Sequence, residues 1–211
     1  MKKILLLGDS IREGYDKYVK KAFDGTAEVY YPGENCRFAA YITRNLHDWK
    51  IKNSIEDDID LIHWNAGLWD VLVLPDGEHL TPLPMYQYYI ERLCKMIALY
   101  FPKAKVIFAT STPIQESTET ICKRYNADIR EYNAAAIEIV TKYGVQVNDL
   151  YSLCENMPIS NYSDRVHMYT KDGTKLLADH VVSVIEKALD IRGKELDYDA
   201  LFAKKTDAIG L

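Results

Sequence analysis

The chain lacks any apolar run approaching the length of a membrane span, any C-x-x-C pair and any block of like charge. Each absence removes a class of protein. A bilayer-crossing helix needs about 20 consecutive apolar residues, so none is expected. The four cysteines, Cys36, Cys94, Cys122 and Cys154, are scattered, which argues against a disulfide framework and suits a reduced, cytoplasmic compartment. With 26 Lys plus Arg against 31 Asp plus Glu, the formal charge is −5 and no basic patch stands out. Nucleic acid and anionic membrane are therefore not expected as partners. The opening MKKILLLGDS holds only four apolar residues before Gly-Asp, too few for the core of an export signal, and reads as a first strand. There is no G-x-G-x-x-G and no P-loop lysine, and His47, His63, His79 and His180 show no metal-ligand spacing. The sequence implies neither a cofactor nor a metal.

What is present is enough apolar residue, 48% of 211 positions, to build one substantial core. The spacing of those residues predicts alternating strands and helices. Strands are expected at Ile4 to Leu7, Ala27 to Tyr31, Ile59 to Trp64, Lys105 to Ala109 and Val145 to Val147. Helices are expected at Arg12 to Phe23, Cys36 to Trp49, Met85 to Tyr100, Ala127 to Tyr143 and, capped by Asp172, through Leu189. This alternation predicts a three-layer α/β/α domain over residues 1–192, with a five-stranded parallel sheet of flavodoxin-like topology. Residues 193–211 form a mixed polar tail, either docked or disordered. Trp69 to Pro84, with three prolines and Asp-Gly, is the one long irregular segment, and loops of that length usually serve function.

In such a sheet, ligands bind where strands end and helices begin. Ser10 lies at the first of these corners, in Gly8-Asp9-Ser10. A serine there can simply cap a helix. A base for it exists in Asp164-Arg-Val-His167, in the loop before the last helix. Residues three apart in a turn can meet, so Asp164 can take the Nδ1 proton of His167 and leave Nε2 outward. Donors for a developing oxyanion are the Ser10 N–H at a helix start, the backbone of Gly33 after strand two, and the Asn65 amide after strand three. Arg12 suits a local salt bridge better than a substrate contact. Asp9, Trp64 and Trp69 are candidates for touching substrate, and Tyr86, Tyr88 and Tyr89 stand near the expected rim.

Together, GDS at the first strand end, Gly33, Asn65 and D-x-x-H near the C-terminus resemble the SGNH (GDSL-type) hydrolases across nearly the whole chain. The resemblance implies Ser10 as nucleophile, His167 as base, Asp164 as its orienting partner, and Ser10, Gly33 and Asn65 as the oxyanion hole. It implies a small-molecule ester as substrate and no cofactor. The third block departs from the usual G-x-N-D, reading His63-Trp64-Asn65-Ala66, and NAGLWD looks like a bacterial branch tied to carbohydrate esters. A small-acyl esterase acting on a carbohydrate is the expected activity. The alternatives are a lysophospholipase or thioesterase, with Leu72, Val73, Leu74 and Leu80 lining an acyl channel, and a carbohydrate-binding module that has lost turnover.

Overall fold

Apolar runs with no polar alternation need cover on both faces, and a parallel sheet between two helix layers supplies it. The computed structural model describes residues 1–52, 55, 58–116 and 123–207, the last four as backbone only. Its five strands are β1 (Lys2–Leu7), β2 (Ala27–Tyr30), β3 (Leu61–Trp64), β4 (Lys105–Ala109) and β5 (Gln146–Asn148). They form one sheet in the order β2-β1-β3-β4-β5, and every pair is parallel. The expected three-layer architecture and topology are those observed. Ile4 to Leu7 of β1 and all of β3 are buried.

The helices are α1 (Ser10–Ala22), α2 (Ala39–Lys52), α3 (Leu83–Tyr100), α4 (Asn126–Lys142), a short α5 (Leu150–Cys154), α6 (Lys171–Leu189) and α7 (Tyr198–Asp207). Helix α1 packs with α6 on one face, while α2, α3 and α4 line up on the other. The chain runs from β1 outward to β2 and then returns to β3 on the far side of β1. The crevice of such a sheet opens at this reversal, outside the ends of β1 and β3. Ser10 and Asn65 follow those two strands directly.

Two expectations need correction, and one left open is resolved. Thr170, not Asp172, caps α6, its hydroxyl accepting from the Gly173 N–H. The segment from Trp69 to Pro84 is built: Leu80 N–H donates to Leu72 C=O, and Val73 bridges antiparallel to both His79 and Lys123. The residues beyond Arg192 are docked as far as they are described. Lys194 N–H donates to Ala22 C=O at 2.6 Å, Tyr198 is buried, and Phe202 stacks on Tyr18 with ring centroids 6.0 Å apart. Cys36, Cys94 and Cys154 are buried free thiols, and Cys122 lies outside the described residues. No described helix is long and apolar enough to cross a membrane.

Candidate active site

At the end of β1 the chain must turn sharply from strand to helix. Asp9, not Ser10, caps α1: its Oδ1 accepts from the Ile11 N–H at 2.9 Å. That assignment frees the Ser10 hydroxyl from capping. Gly8 is required because the Asn65 side chain lies against it; a Cβ there would stand 1.9 Å from Asn65 Oδ1. The Asn65 amide is in turn held by Asp9, Nδ2 donating to Oδ1 at 3.0 Å. The two strand ends are thus locked to one another just beneath Ser10.

The loop between α5 and α6 delivers the other half of the site. Asp164 Oδ1 accepts from the N–H groups of Val166 and His167 at 2.7 and 2.8 Å, closing a tight turn. Its Oδ2 receives Nδ1 of His167 at 2.7 Å. Burial opposes the charge on Asp164, but the Val166 N–H and both His167 contacts outweigh it and hold the carboxyl below its usual range. An ionised carboxylate only accepts, so the ring proton sits on Nδ1 and Nε2 is left as an acceptor. The Ser10 hydroxyl lies 2.8 Å from that nitrogen. Ser10, His167 and Asp164 therefore form one continuous hydrogen-bonded chain at the rim. Gln115 N–H donates to Arg165 C=O at 2.7 Å, which braces the turn from the β4 side. The segment supplying Gln115 is itself clamped, because Asn126 and Asn133 of α4 each bond both the N–H and the C=O of one loop residue, Ile114 and Ser111.

The remaining candidates divide. Trp64 is 0% exposed and packs edge-on against Phe108, so it cannot meet a substrate. Strand pairing with both Leu7 and Phe108 puts it in the middle of the sheet, where either face is interior. Asp9 is likewise wholly buried and is committed to Ile11 and Asn65. Burial raises its pKa against those two contacts. Trp69 is half-buried and keeps an accessible face. Gly33 is exposed, and a Cβ on it would meet no protein atom within 4 Å, so packing within the protein does not require a glycine there. In this loop the left-handed conformation falls to Arg37, at φ 52°. Arg12 is local, as expected: buried, it donates to Asp16 at 2.5 Å and to the carbonyls of Pro32 and Glu34 at 3.1 and 2.6 Å. It staples the loop after β2 onto α1.

Two residues near the site escape a reading of the sequence. Asp70, buried, accepts the Ala39 N–H at the start of α2, and burial pushes its carboxyl up to about 7. Tyr169 donates from its hydroxyl to Ser10 C=O and stacks on His167. The only sequence signal for it is a glycine, Gly14, inside an otherwise well-formed helix.

No family model and no curated protein sequence matches the chain. Solved structures do. An acetyl xylan esterase, AlAXEase, is similar over 87% of this chain and 99% of its own, at 17% identity and TM-score 0.70. The lipase/acylhydrolase from Enterococcus faecalis covers 93% of this chain and 100% of its own, at 22% identity and TM-score 0.69. Axe2, an acetylxylan esterase from Geobacillus stearothermophilus, covers 87% and 94%, at 18% identity and TM-score 0.69. At these identities the likeness is one of fold.

Proposed function

On the fold of the SGNH hydrolases, which this chain has, we propose a serine ester hydrolase that removes a small acyl group, most simply acetyl, from a carbohydrate-like alcohol. The observation that carries this reading is the Ser10–His167–Asp164 chain, with links of 2.8 and 2.7 Å. Ser10 Oγ attacks the ester carbonyl carbon as its proton passes to His167 Nε2. The carbonyl π electrons move onto oxygen, and the imidazolium is balanced by the Asp164 carboxylate. When the tetrahedral adduct collapses, the C–O bond to the alcohol breaks and His167 returns the proton to the departing oxygen. Water then gives a proton to the same nitrogen and attacks the acyl carbon, and the bond to Ser10 Oγ breaks as His167 passes that proton to Ser10, releasing the acid.

The oxyanion needs donors that are already in place. The Ser10 N–H opens α1 at the positive end of the helix dipole. The Asn65 amide nitrogen spends one proton on Asp9 and keeps a second. Gly33 was the third candidate from the sequence, and its exposed position gives it the weakest support of the three. Trp69 remains a candidate for stacking on a sugar face. The choice of acetyl draws on the acetyl xylan esterases among the structural neighbours.

The test is a chain-length series of p-nitrophenyl esters run beside acetylated xylo-oligosaccharides. An acetyl pocket stops rewarding added methylenes, each of which otherwise gains about 0.8 kcal/mol on burial. We expect kcat/KM to fall steeply from acetyl through butyryl to octanoyl. A maximum at octanoyl overturns the carbohydrate-ester assignment and points to an acyl channel along the half-buried Leu72, Val73, Leu74 and Leu80.

A further inference from the structure

We propose that Tyr169 is a positioning residue that fixes nucleophile and base against one another, an inference that rests on the acyl-transfer reading above. Three contacts converge on its side chain. The ring lies over the His167 imidazole, with centroids 4.7 Å apart and planes 25° from parallel. The hydroxyl donates to the Ser10 carbonyl oxygen at 2.5 Å. The ring edge fills the space above Gly14, where a Cβ would lie 2.7 Å from Cε1. One side chain therefore touches the base with its face, the nucleophile's backbone with its hydroxyl, and the nucleophile's helix with its edge.

The glycine shows that this position is held at a cost. Gly14 sits one turn after Ser10 in the interior of α1, where glycine is less favourable than alanine. Its φ is ordinary, so no turn demands it. What excludes a side chain there is the Tyr169 ring. Stacking restricts rotation of the imidazole and keeps Nε2 on the Ser10 side. When His167 takes up the proton, the cation forms against an aromatic face, which stabilises it. Burial raises the Tyr169 phenol well above its usual range, with the carboxylates of Glu13, Asp9 and Asp164 adding to the shift, so the hydroxyl stays a donor. The hydroxyl fixes the main chain of the nucleophile and the ring fixes the base, and both are parts of one rigid group.

The test uses a reporter that does not depend on knowing the natural ester: the rate at which a fluorophosphonate labels Ser10. It is read with kcat, KM for p-nitrophenyl acetate, and Tm, for Tyr169→Leu, Tyr169→Phe and Gly14→Ala. Tyr169→Leu should lower both labelling and kcat by about 10- to 100-fold, the scale of a misplaced catalytic group, with KM within about twofold. Tyr169→Phe keeps the stack and should recover to within about fivefold of the wild type. Gly14→Ala favours the helix yet displaces the ring, and should still slow labelling about five- to tenfold. A folded Tyr169→Leu that labels at the wild-type rate, a Gly14→Ala of undiminished rate, or a loss confined to KM overturns the proposal. A wild-type protein that is not labelled at Ser10 overturns the hydrolase reading, and this inference with it; a labelled wild type beside an indifferent Tyr169→Leu removes the inference alone.

Discussion

Two histidines in this molecule stand in hydrogen-bonded chains of nearly the same outline. At the rim, Ser10 meets Nε2 of His167, and Nδ1 meets Asp164. In the core, the Tyr15 hydroxyl meets Nδ1 of His63 at 3.4 Å, Nε2 meets the Asn148 amide nitrogen at 3.1 Å, and Asn148 Oδ1 meets His180 at 2.8 Å. His167 has a side chain 26% exposed, whereas His63 is 0% exposed. The chemical difference lies in the third member. A carboxylate supplies the charge that an imidazolium needs; an amide that donates to Nε2 supplies none. Burial, with a further push from His180, takes the His63 pKa down to about 3, so it stays neutral. A hydroxyl beside an imidazole is therefore not a catalytic signal in itself. The carboxylate behind it and the exposure of its imidazole are what distinguish the rim chain.

The comparison breaks most sharply at the rim. Ser10→Ala and His167→Ala should each lower esterase kcat by on the order of 10⁴-fold or more, and the double variant should be no worse than either, because the two act as a unit. Tm should stay near the wild-type value in all three. Asp164→Asn converts the rim chain into a copy of the inner one, hydroxyl to imidazole to amide, and should cost about 10²- to 10⁴-fold in kcat through the wrong tautomer. A Ser10→Ala protein that still turns over acetyl esters near the wild-type rate would remove the distinction between the two histidines altogether.

His63 should show the inverse profile. His63→Ala leaves a core cavity and an unpartnered Asn148 amide, so it should destabilise by about 2–4 kcal/mol while kcat stays within a few-fold. Its protonation also has a sign that can be checked. The folded pKa near 3 lies below the ordinary 6.5. The unfolded chain therefore binds the extra proton between those values, and the stability His63 supports is present above about 6.5 and lost as pH falls toward 3. The gap in stability between wild type and His63→Ala, followed by urea melts, should narrow over that window. A gap that does not vary with pH would mean that His63 takes up its proton as readily in the fold as in the unfolded chain.

The smallest effect concerns the carboxylates, which repeat the contrast between rim and interior. Asp164 is held ionised by its turn, whereas buried Asp70 is pushed up to about 7 from 3.8. For Asp70 the folded state binds the extra proton, so its contribution falls as pH rises from about 4 to 7. Asp70→Asn keeps an acceptor for the Ala39 N–H and removes that fall. It should gain about 1–3 kcal/mol on the wild type between pH 4 and pH 8. A loss over the same interval would show Asp70 to be ionised and paired.

Much of this was legible in the sequence, and the parts that were not share a cause. Strand runs such as Ile4 to Leu7, the Gly8-Asp9-Ser10 corner and the Asp164-x-x-His167 spacing are local signals, and the structure brings their residues together as read. Boundaries moved by a few residues where caps decide them: α2 begins at Ala39 instead of Cys36, because the chain from Pro32 to Cys36 is tied down by Arg12 and by Gly8. What local pattern cannot show is which way a residue faces once strands pair. Trp64 was expected near the rim and is enclosed between β1 and β4. Tyr169 and Asp70 act through partners 159 and 31 positions away, and no spacing rule reaches that far.

Ser10 and His167, the proposed nucleophile and base, are 157 positions apart in the chain. At a synthesis rate of roughly 5–20 residues per second, a ribosome has Ser10 in hand for roughly 8–30 seconds before His167 has been joined to the chain. Through most of that time the growing protein can present the serine and later Asn65, but it has no group to take the proton. The turn that carries the base is then braced by residues on both of its sides, and the last described helix closes over the first. On the acyl-transfer reading, a nascent chain stays inert toward esters until His167 has been joined and folded against Ser10, so the reactive state arrives with the fold instead of preceding it.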